Sequence, residues 1–260
     1  VLDWLAAGID PASATLFLQS AVPEIMELQA MLAMIVPLSW LQRVPTFKDQ
    51  VEALGTEIST YGFLGYPLLQ LCDIAVFRAA KVPVGKDQLS HLELGREVVR
   101  RFNHLYGETL VEPEAILSDF PAVPGTDGRK MSKSYHNTID LADDEEATAK
   151  KIRAAVTDPQ KIRRNDPGRP EICPIFALHH LCNAERVEWI EANCRSGALG
   201  CVACKTELAE TMNAWLRPVR ERRASFDRAT IDRIIADGTE RARIVAGATL
   251  RDVKRALRLT

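Results

Sequence analysis

The sequence predicts an α/β fold: a parallel-sheet unit over residues 1–142, followed by a mainly α-helical unit over 143–260. Three observations predict it. Short β-like runs alternate with longer amphipathic runs through the first half, the strand signals stop near Asp143, and the charge changes sign at about the same place. Val1–Glu146 carries 11 Lys or Arg against 21 Asp or Glu, and Ala147–Thr260 carries 22 against 14, so halves of −10 and +8 lie behind a net charge of −2. A basic second half fits a polyanionic partner, because Arg and Lys release counterions when they meet phosphates; a helical surface laced with salt bridges fits equally well. With 47% hydrophobic and 26% charged residues in 260, the chain can bury a substantial core, which excludes a disordered tail, a collagen-like repeat or a small disulfide scaffold. No apolar run reaches the roughly 18–20 residues of a membrane span, and the first residues lack a signal-peptide pattern, so a cytoplasmic location without a membrane partner is expected.

Each element follows from local chemistry. Gly8-Ile9-Asp10-Pro11 is a turn, and Ala14–Ser20 after it reads as a buried strand. Val22–Val36 reads as an amphipathic helix opening near Pro23, whose missing N–H would find no partner in a first turn anyway. Tyr66–Ala80 is apolar enough for a buried helix, Val82–Gly85 is a short strand, and Asp87–Tyr106 is a long helix stopped by Gly107. Strand, helix, strand, helix implies parallel strands, and such sheets bind ligands beyond the carboxyl ends of their strands. Gln19-Ser20 and Gly85-Lys86-Asp87-Gln88 are therefore the expected places for chemistry. Beyond Asp143, Glu145–Thr157, Ile175–Cys194, Lys205–Arg223 and Ile231–Leu259 read as helices, after a packed junction near Tyr135–Asp144.

The densest chemical signal is Lys130-Met131-Ser132-Lys133-Ser134, preceded by Pro124-Gly125-Thr126-Asp127-Gly128-Arg129. Two ammonium groups three residues apart on a glycine-bearing loop can reach neighbouring phosphates, while small Ser side chains let the backbone approach and donate. Taken alone, a basic pentapeptide is more often a solvated turn. The whole string, however, matches the KMSKS signature of class I aminoacyl-tRNA synthetases. Gly8-Ile9-Asp10-Pro11, Ala14–Ser20, Tyr66-Pro67-Leu68-Leu69-Gln70, Val82–Gln88 and His91-Leu92-Glu93-Leu94 then resemble bacterial tryptophanyl-tRNA synthetases in identity and order, over nearly the whole chain.

That resemblance implies a Rossmann-like nucleotide-binding domain, incomplete at its N-terminus, followed by a helical anticodon-binding domain. It implies that L-tryptophan and ATP form tryptophanyl-adenylate, with Mg2+ and without a covalent enzyme intermediate, and that the tryptophanyl group passes to tRNA(Trp). Lys130 and Lys133, with Lys48 of Pro45-Thr46-Phe47-Lys48, would offset charge on the departing pyrophosphate. Asp73 corresponds to the carboxylate that accepts the indole N–H, Tyr66 and Gln88 to groups that hold the substrate ammonium, and Gln70 to a residue lining the same pocket. An Asp in a mostly apolar helix is costly to bury unpaired, which already points to a specific role, although a surface Asp is the ordinary alternative. Gly85, Lys86 and Asp87 fit a nucleotide site at a strand-to-helix turn, where a simple capping turn is the competing reading. Val123, Met131, Ser132 and Ser134 complete the expected ATP contacts, Val123 through adenine.

Six cysteines without a secretion signal point to metal or redox chemistry rather than disulfides. Cys194, Cys201 and Cys204 form C-x6-C-x2-C, and Cys173 lies 21 residues upstream of Cys194. Zn2+ is the inference from spacing alone, with buried thiols as the alternative. A subset of the family carries C-x22-C-x6-C-x2-C and binds a 4Fe-4S cluster, and the resemblance around Glu171–Phe176 implies that group here, with Cys182 as the competing fourth ligand. Cys72 reads as core. For tRNA, the basic helices offer Arg217, Arg220, Arg222, Arg223, Arg251, Lys254, Arg255 and Arg258, some of them as salt-bridge partners only. The family is homodimeric.

The family's HIGH-type phosphate loop has no counterpart in residues 1–260, so a piece of a longer chain is expected, which as it stands need not form adenylate. Two further readings stay open: a non-catalytic paralogue that binds tryptophan or tRNA, and a tyrosine-specific relative. Intact Lys48, Asp87, Lys130 and Lys133 argue against the first, and Leu89 after Gln88, where tyrosine enzymes usually place Trp, argues against the second.

Overall fold

Proline and glycine set many of the helix ends. Pro23, Pro45 and Pro174 each stand in the first turn of a helix, while Gly55 and Gly107 each end one at positive φ (89° and 94°), where a side chain would be strained. The computed structural model describes residues 1–117 and 123–259. In chain order it contains α1 (Leu2–Ala6), α2 (Pro23–Ala33), α3 (Leu38–Gln42), α4 (Pro45–Leu54), α5 (Tyr61–Ala75), β1 (Lys81–Val84), α6 (Leu89–Tyr106), β2 (Glu114–Leu117), α7 (Glu145–Ala154), α8 (Pro174–Cys182), α9 (Val187–Arg195), α10 (Cys201–Ala224) and α11 (Arg228–Ala256). Strands β1 and β2 pair in parallel, Lys81 opposite Glu114 and Val84 opposite Leu117, with α6 as the crossover. This is the predicted α/β class with a small parallel sheet, and among the described residues no helix is long and apolar enough to cross a membrane.

Two compact units form, each from two stretches of sequence. One combines Val1–Asp10 with Ala122–Ile231, the other Pro11–Pro121 with Asp232–Thr260. In the first, α1, α7 and α8 pack on α10 around Ile152, Ile175, Leu178, Leu208, Met212 and Leu216. In the second, α2, α5 and α6 close over Ile25, Leu28, Leu32, Leu71, Val98 and Phe102, and the late helix α11 adds Ala242, Ala246, Leu250 and Val253. Each large side chain so buried contributes about 1.5–3 kcal/mol.

The predicted strand Ala14–Ser20 is corrected. Thr15–Leu18 runs without regular secondary structure and Gln19–Ala21 is a 3-10 turn, because among the described residues no neighbouring strand pairs with this segment. Its register is held instead by α11: a Cβ on Gly238 would stand 2.0 Å from the Leu16 carbonyl oxygen, and the Leu18 N–H donates to Thr239 Oγ1 at 3.4 Å. The predicted single helix Ile175–Cys194 is two, broken at Asn183 (φ −141°, ψ 40°), whose side chain bonds to neighbours outside the helix ladder. The buried helix of Tyr66–Ala80 starts earlier, at Tyr61, with the Thr60 hydroxyl accepting from the Phe63 N–H, and ends at Ala75.

Glu112 fastens the approach to β2 onto α6, accepting from Arg96 Nε at 2.8 Å and Arg100 Nε at 3.0 Å. Arg100, then Arg96, holds its carboxyl down to about 2 from an ordinary 4.5. A depressed acid contributes stability that is present above the unfolded value and is lost as pH falls through the folded one. Glu112→Gln should therefore lower the melting temperature at pH 7, and the variant and wild-type curves should converge between pH 4.5 and about 2; curves that stay parallel throughout would show that the clamp adds nothing.

Candidate functional site

Helix α5 brings Tyr66, Gln70 and Asp73 onto one face, since residues four and seven apart stack along a helix. Behind that face Leu68, Leu71 and Cys72 are buried, and burial pushes the Cys72 thiol upward, in keeping with a core role. Asp73 is half-buried, and both of its oxygens accept from Gln19 Nε2 at 2.7 Å, so the turn after the corrected strand does meet the expected site. Burial pushes the Asp73 carboxyl up, and the Gln19 hydrogen bond pulls it back.

A polar chain runs alongside. Gln88 Nε2 donates to Asp87 at 2.9 Å, Gln70 Nε2 donates to Gln88 Oε1 at 3.3 Å, and the freed Gln70 Oε1 faces His91 Nδ1 at 2.9 Å. Because the Asp87 carboxylate only accepts, the orientation of both amides follows from it, and His91 carries its proton on Nδ1. Burial pushes the His91 pKa down, against the charge of Asp87. Tyr66, Gln88 and His91 then share a cavity of about 430 Å³ with the apolar Val44, Phe47, Phe63 and Pro67, large enough for an aromatic amino acid. Lys48 is exposed on α4, one residue after Phe47. At the end of β1, a Cβ on Gly85 would stand 2.6 Å from Asp87 Oδ1, so glycine lets this carboxylate fold back over the turn, with Lys86 exposed beside it. His91 was not among the residues singled out for the site; its pattern in the sequence is that of an ordinary core position.

In the other unit, residues 123–137 form a tied loop. Pro124 and Lys130 make an antiparallel bridge, the Gly125 N–H donates to the Arg129 carbonyl at 2.7 Å, and the Met131 N–H donates to the Val123 carbonyl at 2.9 Å. Val123 also packs its side chain on the core of that unit. The organising residue is Asn137, only 2% exposed, which sequence reading missed. Its Nδ2 donates to Asp127 Oδ1 at 2.7 Å and to the Lys130 carbonyl at 3.2 Å, while its Oδ1 accepts from the Ser132 N–H at 2.8 Å. Asn137, then Arg129, holds Asp127 down to about 2. A Cβ on Gly125 would stand 2.2 Å from Asn137 Nδ2, so this glycine makes room for the amide. Ser132 caps the short turn Lys133–Tyr135, accepting from Ser134 N at 3.3 Å. Lys130 and Lys133 are left exposed on a backbone that their neighbours hold in place.

The profile of the family described as tRNA synthetases class I (W and Y) matches residues 1–217. The chain belongs to that family. The tryptophan–tRNA ligase of Thermotoga maritima is 46% identical over all of this chain and 80% of its own length. That of Aquifex aeolicus is 39% identical over all of this chain and 84% of its own. Among solved structures, the tryptophanyl-tRNA synthetase of Campylobacter jejuni complexed with ADP and tryptophan superposes with a TM-score of 0.84 at 33% identity, over 98% of this chain and 80% of that one.

Within this class I synthetase chain, Cys173, Cys194, Cys201 and Cys204 line one small, mostly apolar cavity together with Lys161, Ile175, Phe176, Ile190 and Leu199. Cys182 stands apart, its thiol donating to the Leu178 carbonyl. Burial pushes Cys204 up to about 12, with neighbouring thiols adding to it, and pushes Cys173 and Cys194 up as well, so these are poor nucleophiles. Among the described residues, no three His, Cys, Asp or Glu side chains are set to hold one metal ion.

The basic helices are more committed internally than their sequence suggests. Arg217 pairs with Glu145 at 3.0 Å, Arg220 donates to Asn213 and Thr148, Arg222 to the Ala6 carbonyl, and Arg223 pairs with Asp3 at 2.8 Å. Lys254 pairs with Glu27 at 2.5 Å and Arg255 with Asp252 at 3.1 Å. Arg251 and Arg258 stay exposed. A shallow groove beside the cysteines adds Arg163 and Arg164, next to the exposed Ile162 and Val202.

Proposed function

We propose that the chain is a tryptophan–tRNA ligase, which activates L-tryptophan with ATP and passes it to tRNA(Trp). The observation that carries this reading is the match along the full chain to tryptophan–tRNA ligases at 39% and 46% identity. The tryptophan side chain enters the cavity beside α5, Asp73 accepts the indole N–H, Tyr66 and Gln88 hold the ammonium end, and Gln70 belongs to the same pocket through Gln88 and His91. The substrate carboxylate attacks the α-phosphorus of ATP, supplied as its Mg2+ complex, and the bond to pyrophosphate breaks. No protein nucleophile is needed. Lys48, Lys130 and Lys133 offset the charge that gathers on pyrophosphate, while Gly85, Lys86, Asp87, Val123, Met131, Ser132 and Ser134 seat the nucleotide. Residues 1–142 are assigned to this chemistry and 143–260 to the anticodon end of the tRNA, in a cytoplasmic homodimer.

The four thiols suit a 4Fe-4S cluster better than Zn2+. A 4Fe-4S cluster takes one thiolate at each of its four irons, and the resemblance around Glu171–Phe176 favours it over Zn2+, the inference from spacing alone. Cys173, Cys194, Cys201 and Cys204 all line the cavity and Cys182 does not, which supports this ligand set. When bound, the cluster supplies a rigid tie between α9, α10 and the segment before α8.

ATP–pyrophosphate exchange with tryptophan and with tyrosine tests the function, on this chain and on a longer one that carries a HIGH-type loop. Exchange with tryptophan alone is expected from the longer chain. Exchange with tyrosine would move the chain to the other branch of the family, and exchange with neither would make it a non-catalytic tryptophan- or tRNA-binding paralogue. Asp73→Asn should lower kcat/KM for tryptophan by about 10–100-fold, the worth of a hydrogen bond to a charged group, and narrow the preference over phenylalanine. An unchanged preference would remove Asp73 from recognition.

A further inference from the structure

His179, on α8, is completely buried, and none of the chemistry above uses it. Its Nδ1 lies 3.1 Å from Asn183 Nδ2, and its Nε2 lies 3.4 Å from Cys204 Sγ. The same Asn183 nitrogen donates to Glu207 Oε1 at 3.2 Å, and Glu207 is itself held by Arg186 Nε at 3.0 Å. Arg186, then Asn183, keeps the Glu207 carboxyl below its ordinary value.

These contacts decide where the imidazole proton sits. A carboxylate only accepts, so the amide nitrogen of Asn183 must face Glu207. The second hydrogen of that nitrogen points at His179 Nδ1, which must offer a lone pair. The ring is therefore neutral with its hydrogen on Nε2, and that hydrogen points at the sulfur of Cys204. Arg186 and Asn183 both donate to Glu207, Asn183 donates on to His179, and His179 donates to a thiol that lines the cysteine cavity.

We infer that His179, locked as its Nε2–H tautomer by Asn183 and Glu207, is a positioning residue that donates to the Cys204 sulfur and tunes the metal centre which the four thiols hold. The tuning rests on the cluster reading above, while the tautomer does not. A donor to a ligating sulfur stabilises the more reduced, more negatively charged state, so it raises the reduction potential.

Two measurements test this separately. In the metal-free full chain, nitrogen-15 NMR of His179 should report the Nε2–H tautomer, and Asn183→Asp, which puts an acceptor beside Nδ1, should convert it to Nδ1–H. A wild-type ring with its hydrogen on Nδ1 overturns the proposal whether or not a cluster binds. In chain loaded anaerobically with iron and sulfide, His179→Leu should lower the ratio of reduced to oxidised cluster about tenfold at the wild-type midpoint, a shift of about 59 mV for one electron. His179→Gln, which keeps an N–H, should recover most of that. Equal potentials in wild type and His179→Leu overturn the tuning role. Failure of the wild type to take up iron and sulfide defeats the cluster reading and the tuning with it, and leaves the tautomer to the first measurement.

Discussion

Lys133→Ala should slow ATP–pyrophosphate exchange by about 10²–10³-fold and leave the equilibrium affinity for tryptophan within about twofold, the scale of loss when one preorganised charge-stabilising group is removed. The side chain is exposed, and the turn that carries it is held by the Ser132 hydroxyl and the Asn137 amide rather than by Lys133 itself, so truncation takes away charge without releasing the backbone. The residues assigned to tryptophan lie in the other compact unit. Exchange kinetics with saturating tryptophan, set beside equilibrium dialysis of tryptophan, separate the two quantities. An equal loss in both would assign Lys133 to general structure instead of to the departing pyrophosphate.

Asn137→Ala should have an effect of similar size by a different route. The substitution takes from the Ser132 N–H, the Lys130 carbonyl and the Asp127 carboxylate the one partner they share, although Asp127 keeps Arg129. Both lysines then lose the fixed backbone that aims them, so KM for ATP should rise and kcat fall together, with hydrogen-exchange protection of the Ser132 amide lost. Gly125→Ala should reproduce the phenotype, because the added methyl occupies the space of the Asn137 amide. Wild-type kinetics in either variant would show that the loop holds its shape by other means.

The sequence exposed the chemical groups more readily than the scaffold that places them. Lys130–Ser134 and the four cysteines stand out because their spacing along the chain is itself the signal, and Gly85–Asp87 because it lies between a predicted strand and a predicted helix. Pro23 and Gly107 marked helix ends for the same local reason. Asn137, His91 and His179 were not legible: each is a buried polar residue whose partners lie on other segments, and nothing in their immediate neighbours tells a hydrogen-bonded keystone from an ordinary core position. Ala14–Ser20 shows the converse. Its apolar Leu16-Phe17-Leu18 run is that of a buried strand, but a strand also requires a neighbour to pair with, and pairing is not a local property.

The contact of Gly238 with Leu16 has a consequence for synthesis on the ribosome. Gln19, which holds Asp73, sits just beyond a segment whose backbone is seated against α11, more than 200 residues downstream. A nascent chain can assemble α2, α5 and α6 early, but closure of such a long loop waits until α11 has left the exit tunnel. The Gln19–Asp73 hydrogen bond is therefore set among the last contacts of the molecule, and a polypeptide stalled before Gly238 would carry both residues without the helix that seats the segment before Gln19.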